Sequence, residues 1–172
     1  MKNIAIFGST GSIGTQALSV IRENPTLFAV TVLTAAKNAK LLIAQAIEFR
    51  PKYVVICNEQ KYNEVKQALA GLEIKVYAGE EALTEVAELS ETDIVLTAVM
   101  GSVGLKPTVA AIKAGKNIAL ANKETLVVAG AYITELAKMH GVKILPVDSE
   151  HSAIYQCLVG EEQNEIEKIY LT

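Results

Sequence analysis

Tryptophan is absent from this chain, phenylalanine occurs three times and cysteine twice. Cys57 and Cys157 lie far apart and belong to no C-x-x-C or zinc-type spacing. That excludes a disulfide framework and a cysteine metal site, and both read as reduced thiols of a cytoplasmic protein. An excess of basic residues is also missing. Sixteen Lys and Arg stand against nineteen Asp and Glu, for a formal net charge of −3, so no nucleic-acid partner is expected. No apolar run approaches the roughly 20 residues needed to span a bilayer, so no membrane association is expected. Met1 leads almost at once into a strand, which leaves no room for a leader. What remains is 172 residues, 51% hydrophobic and 20% charged. That is enough for one packed domain, or one domain and a piece of another.

The chain opens on I-A-I-F-G-S-T-G-S-I-G, from Ile4 to Gly14. A short apolar run ends in glycines spaced G-x-x-G-x-x-G, and a helical pattern follows. Glycine lets a backbone approach phosphate oxygens without a Cβ in the way, and the free amides at a helix start favour an anion. Ser9, Thr10 and Ser12 offer hydroxyl donors beside them. The spacing differs from the G-x-G-x-x-G of many dinucleotide sites. Its position, however, after a strand, before a helix and at the head of a β-α series, favours nucleotide binding over a bare steric turn.

That series runs through the rest of the chain. Strands are expected at 28–35, 53–57, 74–77, 93–97, 117–121 and 143–147, from β-branched and fully apolar runs. Helices are expected at 15–22, 39–49, 59–69, 82–89, 107–114, 125–140 and 151–159. Residues 98–104, glycine-rich, read as a flexible segment. The acidic stretch 161–167 reads as a loop, and the alternation in I-E-K-I-Y-L (166–171) as a further strand. Strict alternation defines an α/β fold with a doubly wound, mainly parallel, Rossmann-like sheet over residues 1–148. Residues 149–172 read as the start of a truncated second domain.

In such sheets ligands sit beyond the carboxyl ends of the strands, where the polar residues of this chain collect. The second strand ends in Thr34-Ala35-Ala36-Lys37-Asn38, without the acid that would bind an NAD ribose. Lys37 suits a 2′-phosphate, so NADP is preferred to NAD; a solvated helix-start lysine is the plain alternative. Asn122-Lys123-Glu124 and Asp148-Ser149-Glu150-His151 close the last two strands. Asp148 and Glu150 could converge on one hard cation such as Mg²⁺ or Mn²⁺, or serve only as helix cap and first-turn acid. Lys123 could hold a substrate anion, or could equally open a helix. Tyr62 and Lys66 match Y-x-x-x-K but fall too early for a short-chain dehydrogenase, and His140 and His151 read as structural.

Four segments together resemble the N-terminal part of the 1-deoxy-D-xylulose 5-phosphate reductoisomerase family. They are G-S-T-G-S-I-G at 8–14, A-K-N at 36–38, L-A-N-K-E at 120–124 and L-P-V-D-S-E-H at 145–151. The resemblance implies an NADPH-dependent oxidoreductase and isomerase of isoprenoid synthesis, with Thr10, Gly11, Ser12, Ile13, Ala36, Lys37, Asn38, Asn122 and Glu124 at the cofactor. Ala36 stands where the family commonly has glycine. It further implies that Lys123, Ser149 and Glu150 contact a sugar phosphate substrate and that Asp148 and Glu150 bind Mn²⁺ or Mg²⁺. Lys123, Asp148 and Glu150 would then be the catalytic set. The full-length protein would be a cytoplasmic homodimer, and this portion would be inactive alone, because the third acidic metal ligand lies farther along the family's chain. Two alternatives stay open on the residues: another NADP-dependent dehydrogenase of the homoserine dehydrogenase or dihydrodipicolinate reductase kind, and a non-catalytic NADPH-binding module.

Overall fold

The computed structural model describes residues 1–161 and 164–170. Strands β1 (Lys2–Phe7), β2 (Phe28–Ala35), β3 (Tyr53–Ile56), β4 (Lys75–Ala78), β5 (Ile94–Thr97), β6 (Asn117–Leu120) and β7 (Ile144–Pro146) form one sheet. Their order is β4-β3-β2-β1-β5-β6-β7 and every pairing is parallel. The order reverses between β1 and β5, so the switch point, where such sheets open a crevice, falls beside Gly8.

Helices α1 (Ser12–Glu23), α2 (Ala39–Phe49) and α3 (Tyr62–Ala68) cover one face of the sheet. Helices α4 (Glu81–Ala87), α5 (Leu105–Lys113) and α6 (Glu124–His140) cover the other. Helix α7 (Ser149–Leu158) follows β7. Burial on both faces is why β3 reads Y-V-V-I without alternation: Val54, Val55 and Ile56 are wholly inaccessible. Leu18, Leu33 and Leu42 pack on one side, and Phe7, Leu83 and Ile133 on the other.

The helix ends follow local chemistry. Asn24 ends α1 by donating its side-chain amide to the Val20 carbonyl, ahead of Pro25. Arg50 takes up a left-handed conformation (φ 49°) at the end of α2, where Pro51 prevents the helix from continuing. Gly141 closes α6 at φ 65°. Helix α6 is kinked at Ala129, whose backbone leaves helical geometry.

Three expectations change. The stretch expected as one helix at 59–69 is a 3₁₀ turn (Glu59–Lys61) followed by α3, because the Asn58 side chain caps the Gln60 amide and starts a tight turn first. The segment 98–104 is not simply flexible. Gly101–Gly104 form a 3₁₀ turn, held by a side chain from β6's end described below. Residues 166–170 form no strand, and residue 171 lies outside the described residues. Alternation alone makes no strand without a neighbour to complete the ladder, and none of the seven strands pairs with this stretch.

Candidate functional site

The turn after β1 is a backbone structure that only glycine permits at two points. Gly8 has φ +85°, and a Cβ there would lie 2.6 Å from the Ala98 carbonyl oxygen at the end of β5. A Cβ on Gly14 would lie 2.4 Å from the Gly8 oxygen and 2.6 Å from the Ser9 Cα. Gly11, the residue before α1, contributes no side-chain cap, and the first turn of α1 contains no acid. The amides of Ser12, Ile13 and Gly14 therefore meet no acceptor among the described residues. A helix start left open in this way is electrostatically matched to a phosphate. Helices α2 and α7 differ, since Asn38 caps the first and Asp148 the second.

Of the three hydroxyls expected to face an anion, Thr10 and Ser12 lie on the accessible side and Ser9 does not. Ser9 is fully buried. Its Oγ donates to Gln45 Oε1 at 2.7 Å and lies 3.1 Å from the Thr34 carbonyl. The Gly8 amide donates to Thr34 Oγ1 at 3.0 Å, and the Ser9 amide to the Thr34 carbonyl at 2.8 Å. Ser9 is thus a framework residue: with its hydroxyl and amide both used inward, it has nothing left to offer a ligand. Gln45 and Thr34 were missed by sequence reasoning. The available signal was a lone amide on the apolar stripe Ala39, Leu42, Ala46 of α2.

Next along the rim, Ala36, Lys37 and Asn38 are exposed between β2 and α2. Asn38 Oδ1 accepts from the Leu41 amide at 3.2 Å, which starts α2 and leaves Lys37 projecting just before it.

Beyond β6, the Asn122 side chain is turned inward and is 97% shielded (3% exposed). Its amide donates to the carbonyls of Val99 at 2.6 Å and Gly101 at 2.8 Å, drawing the β5 loop onto β6. The expectation that this residue faces the cofactor therefore cannot rest on its side-chain amide, which shapes the rim instead. Asn122→Ala would remove both of these hydrogen bonds, and a loss of about 1–3 kcal/mol in urea unfolding is expected. An unchanged midpoint would show that the loop holds its shape without Asn122.

Lys123 and Glu124 are exposed at the start of α6, and Ser149 and Glu150 at the start of α7. Lys123 Nζ lies 3.5 Å from Glu150 Oε1, so the ends of β6 and β7 meet as expected. Ser149 donates its hydroxyl to Glu150 Oε2 at 3.0 Å. Asp148 caps α7 through the His151 amide and also contacts His151 Nδ1 at 2.7 Å. Burial pushes the Asp148 carboxyl up, but the His151 amide and ring, with Lys123, outweigh it and hold it below the usual aspartate range. The Glu150 carboxyl is also lowered, by its own backbone amide first and then by Ser149 and Lys123.

Ionised carboxylates two residues apart suit a hard divalent cation in kind. They do not make a closed site in number, for no group of three His, Cys, Asp or Glu side chains able to hold a metal exists among the described residues. His140 is exposed in the last turn of α6. On α3, Lys66 lies over the Tyr62 ring at 5.2 Å, a contact within one helix face.

A parallel, doubly wound sheet with an open-amide glycine turn at its switch point defines a Rossmann-like α/β domain. The sequence profile of 1-deoxy-D-xylulose 5-phosphate reductoisomerase matches residues 4–130, and that of the same enzyme's C-terminal domain matches residues 144–172. The chain belongs to the 1-deoxy-D-xylulose 5-phosphate reductoisomerase family. The reductoisomerase of Bacteroides fragilis is 61% identical over 171 residues, covering 99% of this chain and 44% of that protein. That of Chloroherpeton thalassium is 57% identical over 172 residues, again 44% of its length. The chain thus spans less than half the length of the curated relatives it matches. Among solved structures, the Zymomonas mobilis reductoisomerase in complex with NADPH superimposes with a TM-score of 0.87 at 44% identity, covering 91% of this chain and 41% of that one. A reductoisomerase in complex with NADPH, fosmidomycin and magnesium gives 0.87 at 43% identity, over 91% and 39%. A Thiobacillus denitrificans homoserine dehydrogenase, at 20% identity and a TM-score of 0.51, shares the fold alone. No helix among the described residues is long and apolar enough to cross a membrane.

Proposed function

We propose that this chain is the NADPH-binding portion of an enzyme converting 1-deoxy-D-xylulose 5-phosphate to 2-C-methyl-D-erythritol 4-phosphate. The observation that carries the reading is the open turn itself. In a member of this family, three uncommitted amides and two glycines with no room for a Cβ lie at the switch point. In this reading Thr10, Gly11, Ser12 and Ile13 receive the pyrophosphate, and Ala36, Lys37 and Asn38 the 2′-phosphate end. Glu124 and the backbone of Asn122 border the nicotinamide side.

When bound, NADPH supplies the hydride, and Mn²⁺ or Mg²⁺ polarises the substrate's carbonyl and hydroxyl oxygens. Asp148 and Glu150 are the carboxylates that would hold that cation, and both are biased toward the ionised form it requires. Lys123, Ser149 and Glu150 would orient the sugar phosphate. The Lys123–Glu150 pair is more than half exposed on both sides, and exposed pairs contribute only about 0–1 kcal/mol. Lys123 is therefore free to turn from Glu150 to a substrate anion at little cost.

We place the domain division after Asp148. Residues 1–148 form the cofactor domain and residues 149–172 begin the part that completes the metal site. The whole protein is assigned to the cytoplasm as a homodimer. The test uses the 172-residue chain in a fluorescence titration with NADPH, followed by a spectrophotometric assay with substrate and Mn²⁺. Saturable NADPH binding with turnover near background is expected. Absence of binding sinks the cofactor assignment, and robust substrate-dependent NADPH oxidation sinks the claim that catalysis needs more than these residues.

A further inference from the structure

Gln45 is a side-chain amide that is only 5% exposed on the apolar stripe of α2. A leucine there would pack without a polar group to satisfy, whereas a buried amide is tolerated only when hydrogen-bonded. Here both ends are used on one residue. Nε2 donates to the Ser9 carbonyl at 2.9 Å, and Oε1 accepts from Ser9 Oγ at 2.7 Å. Thr34, 1% exposed, fixes Ser9 and its neighbour Gly8 from β2 by accepting from both of their amides. The helix that carries Gln45 begins directly after Lys37 and Asn38. One rigid element therefore touches the pyrophosphate turn with its buried face and presents the 2′-phosphate determinants at its start.

We infer that Gln45 is a positioning residue that sets the pyrophosphate turn against α2, so that the two phosphate-binding points of the site keep a fixed separation. The inference rests on the NADPH reading above. A ligand that needs both points depends on the clamp, and a ligand that needs only the α2 end does not.

Calorimetric titration of the 172-residue chain with NADP⁺ and with adenosine 2′-phosphate separates these cases. Gln45→Met is expected to lower NADP⁺ affinity about tenfold, the equivalent of one hydrogen bond's worth of misplacement. Adenosine 2′-phosphate, which lacks the pyrophosphate, should keep its affinity within about twofold, well inside that margin. Parallel loss for both ligands would mean that Gln45 merely supports the fold, and unchanged NADP⁺ affinity would mean that it does nothing for the site; either overturns the inference.

Gln45→Glu gives a second measurement, independent of whether the methionine variant folds. When protonated, its carboxyl repeats the donor–acceptor pair of the amide: the O–H donates to the Ser9 carbonyl and the C=O accepts from Ser9 Oγ. When ionised, it has no donor. NADP⁺ affinity should match that of wild type at the same pH wherever this carboxyl is protonated, and a ratio that stays low on acidification overturns the clamp. Failure of the wild-type chain to bind NADP⁺ while it still binds adenosine 2′-phosphate, or failure to bind either, overturns the cofactor reading instead. The two failures are therefore distinct.

Discussion

Gly14→Ala is expected to cut NADPH affinity by roughly 100-fold or more, a large effect for one added methyl group. The backbone at Gly14 is ordinary helix, so strain in φ is not the reason. The added carbon would lie 2.4 Å from the Gly8 oxygen, 2.6 Å from the Ser9 Cα and 2.8 Å from the Ser9 carbonyl carbon. All three are backbone atoms of the turn, and that turn is tied to Thr34 and Gln45. Alanine would improve helix propensity by about 1 kcal/mol, but overpacking against fixed backbone costs about 1–3 kcal/mol or more, so the steric term wins. The larger loss is in the ligand. Displacing two amides from a phosphate forfeits about 1.5–3 kcal/mol each, which is roughly a 100-fold to 10⁴-fold loss of affinity. Gly130→Ala is the control, because it lies on α6 outside the turn and its added carbon would meet only the Leu126 Cβ, at an ordinary 3.9 Å. Titration of both variants with NADPH checks the contrast; a Gly14→Ala chain that binds like wild type removes the turn from the site.

The second large effect is a change of cofactor preference at Lys37. This residue is exposed on the rim between β2 and α2, so replacing it should alter stability by no more than about 0.5 kcal/mol. Loss of a charge-assisted bond of about 1.5–3 kcal/mol in Lys37→Ala corresponds to a fall of roughly 10- to 100-fold in the preference for NADPH over NADH. Lys37→Glu should go further and invert the preference, since a carboxylate repels the 2′-phosphate and accepts from a ribose hydroxyl in its place. Affinities of both nucleotides for both variants give the ratio directly. A ratio equal to that of wild type would leave Lys37 as an ordinary solvated lysine.

Some of this architecture is legible without coordinates. Strand β2 and helix α2 run over the residues that periodicity assigns to them, 28–35 and 39–49. Their signals are local: a β-branched run, then an apolar stripe bounded by an asparagine cap and a proline. The glycine turn is legible for the same reason, because its demands act on the turn's own backbone. Where the reading failed, the deciding partner was distant in sequence. Ser9 looks like a phosphate donor beside Thr10 until Gln45, on another helix, claims its hydroxyl. Residues 98–104 look merely flexible until Asn122 gathers the Val99 and Gly101 carbonyls. The alternation at 166–170 looks like a strand, yet no described strand runs beside it.

The linear order of residues by itself determined the β-α alternation, the open helix start after Gly11, and the gathering of Lys37, Lys123, Asp148 and Glu150 at strand ends, because each follows from propensities and periods within a few neighbours. Only the tertiary structure decided that β1 and β5 lie side by side with the order reversing between them, that Lys123 meets Glu150, and which polar side chains turn inward to hold the rim. Those outcomes depend on burial and on hydrogen bonds between segments far apart in the chain, and such contacts leave no mark on the local pattern of either partner.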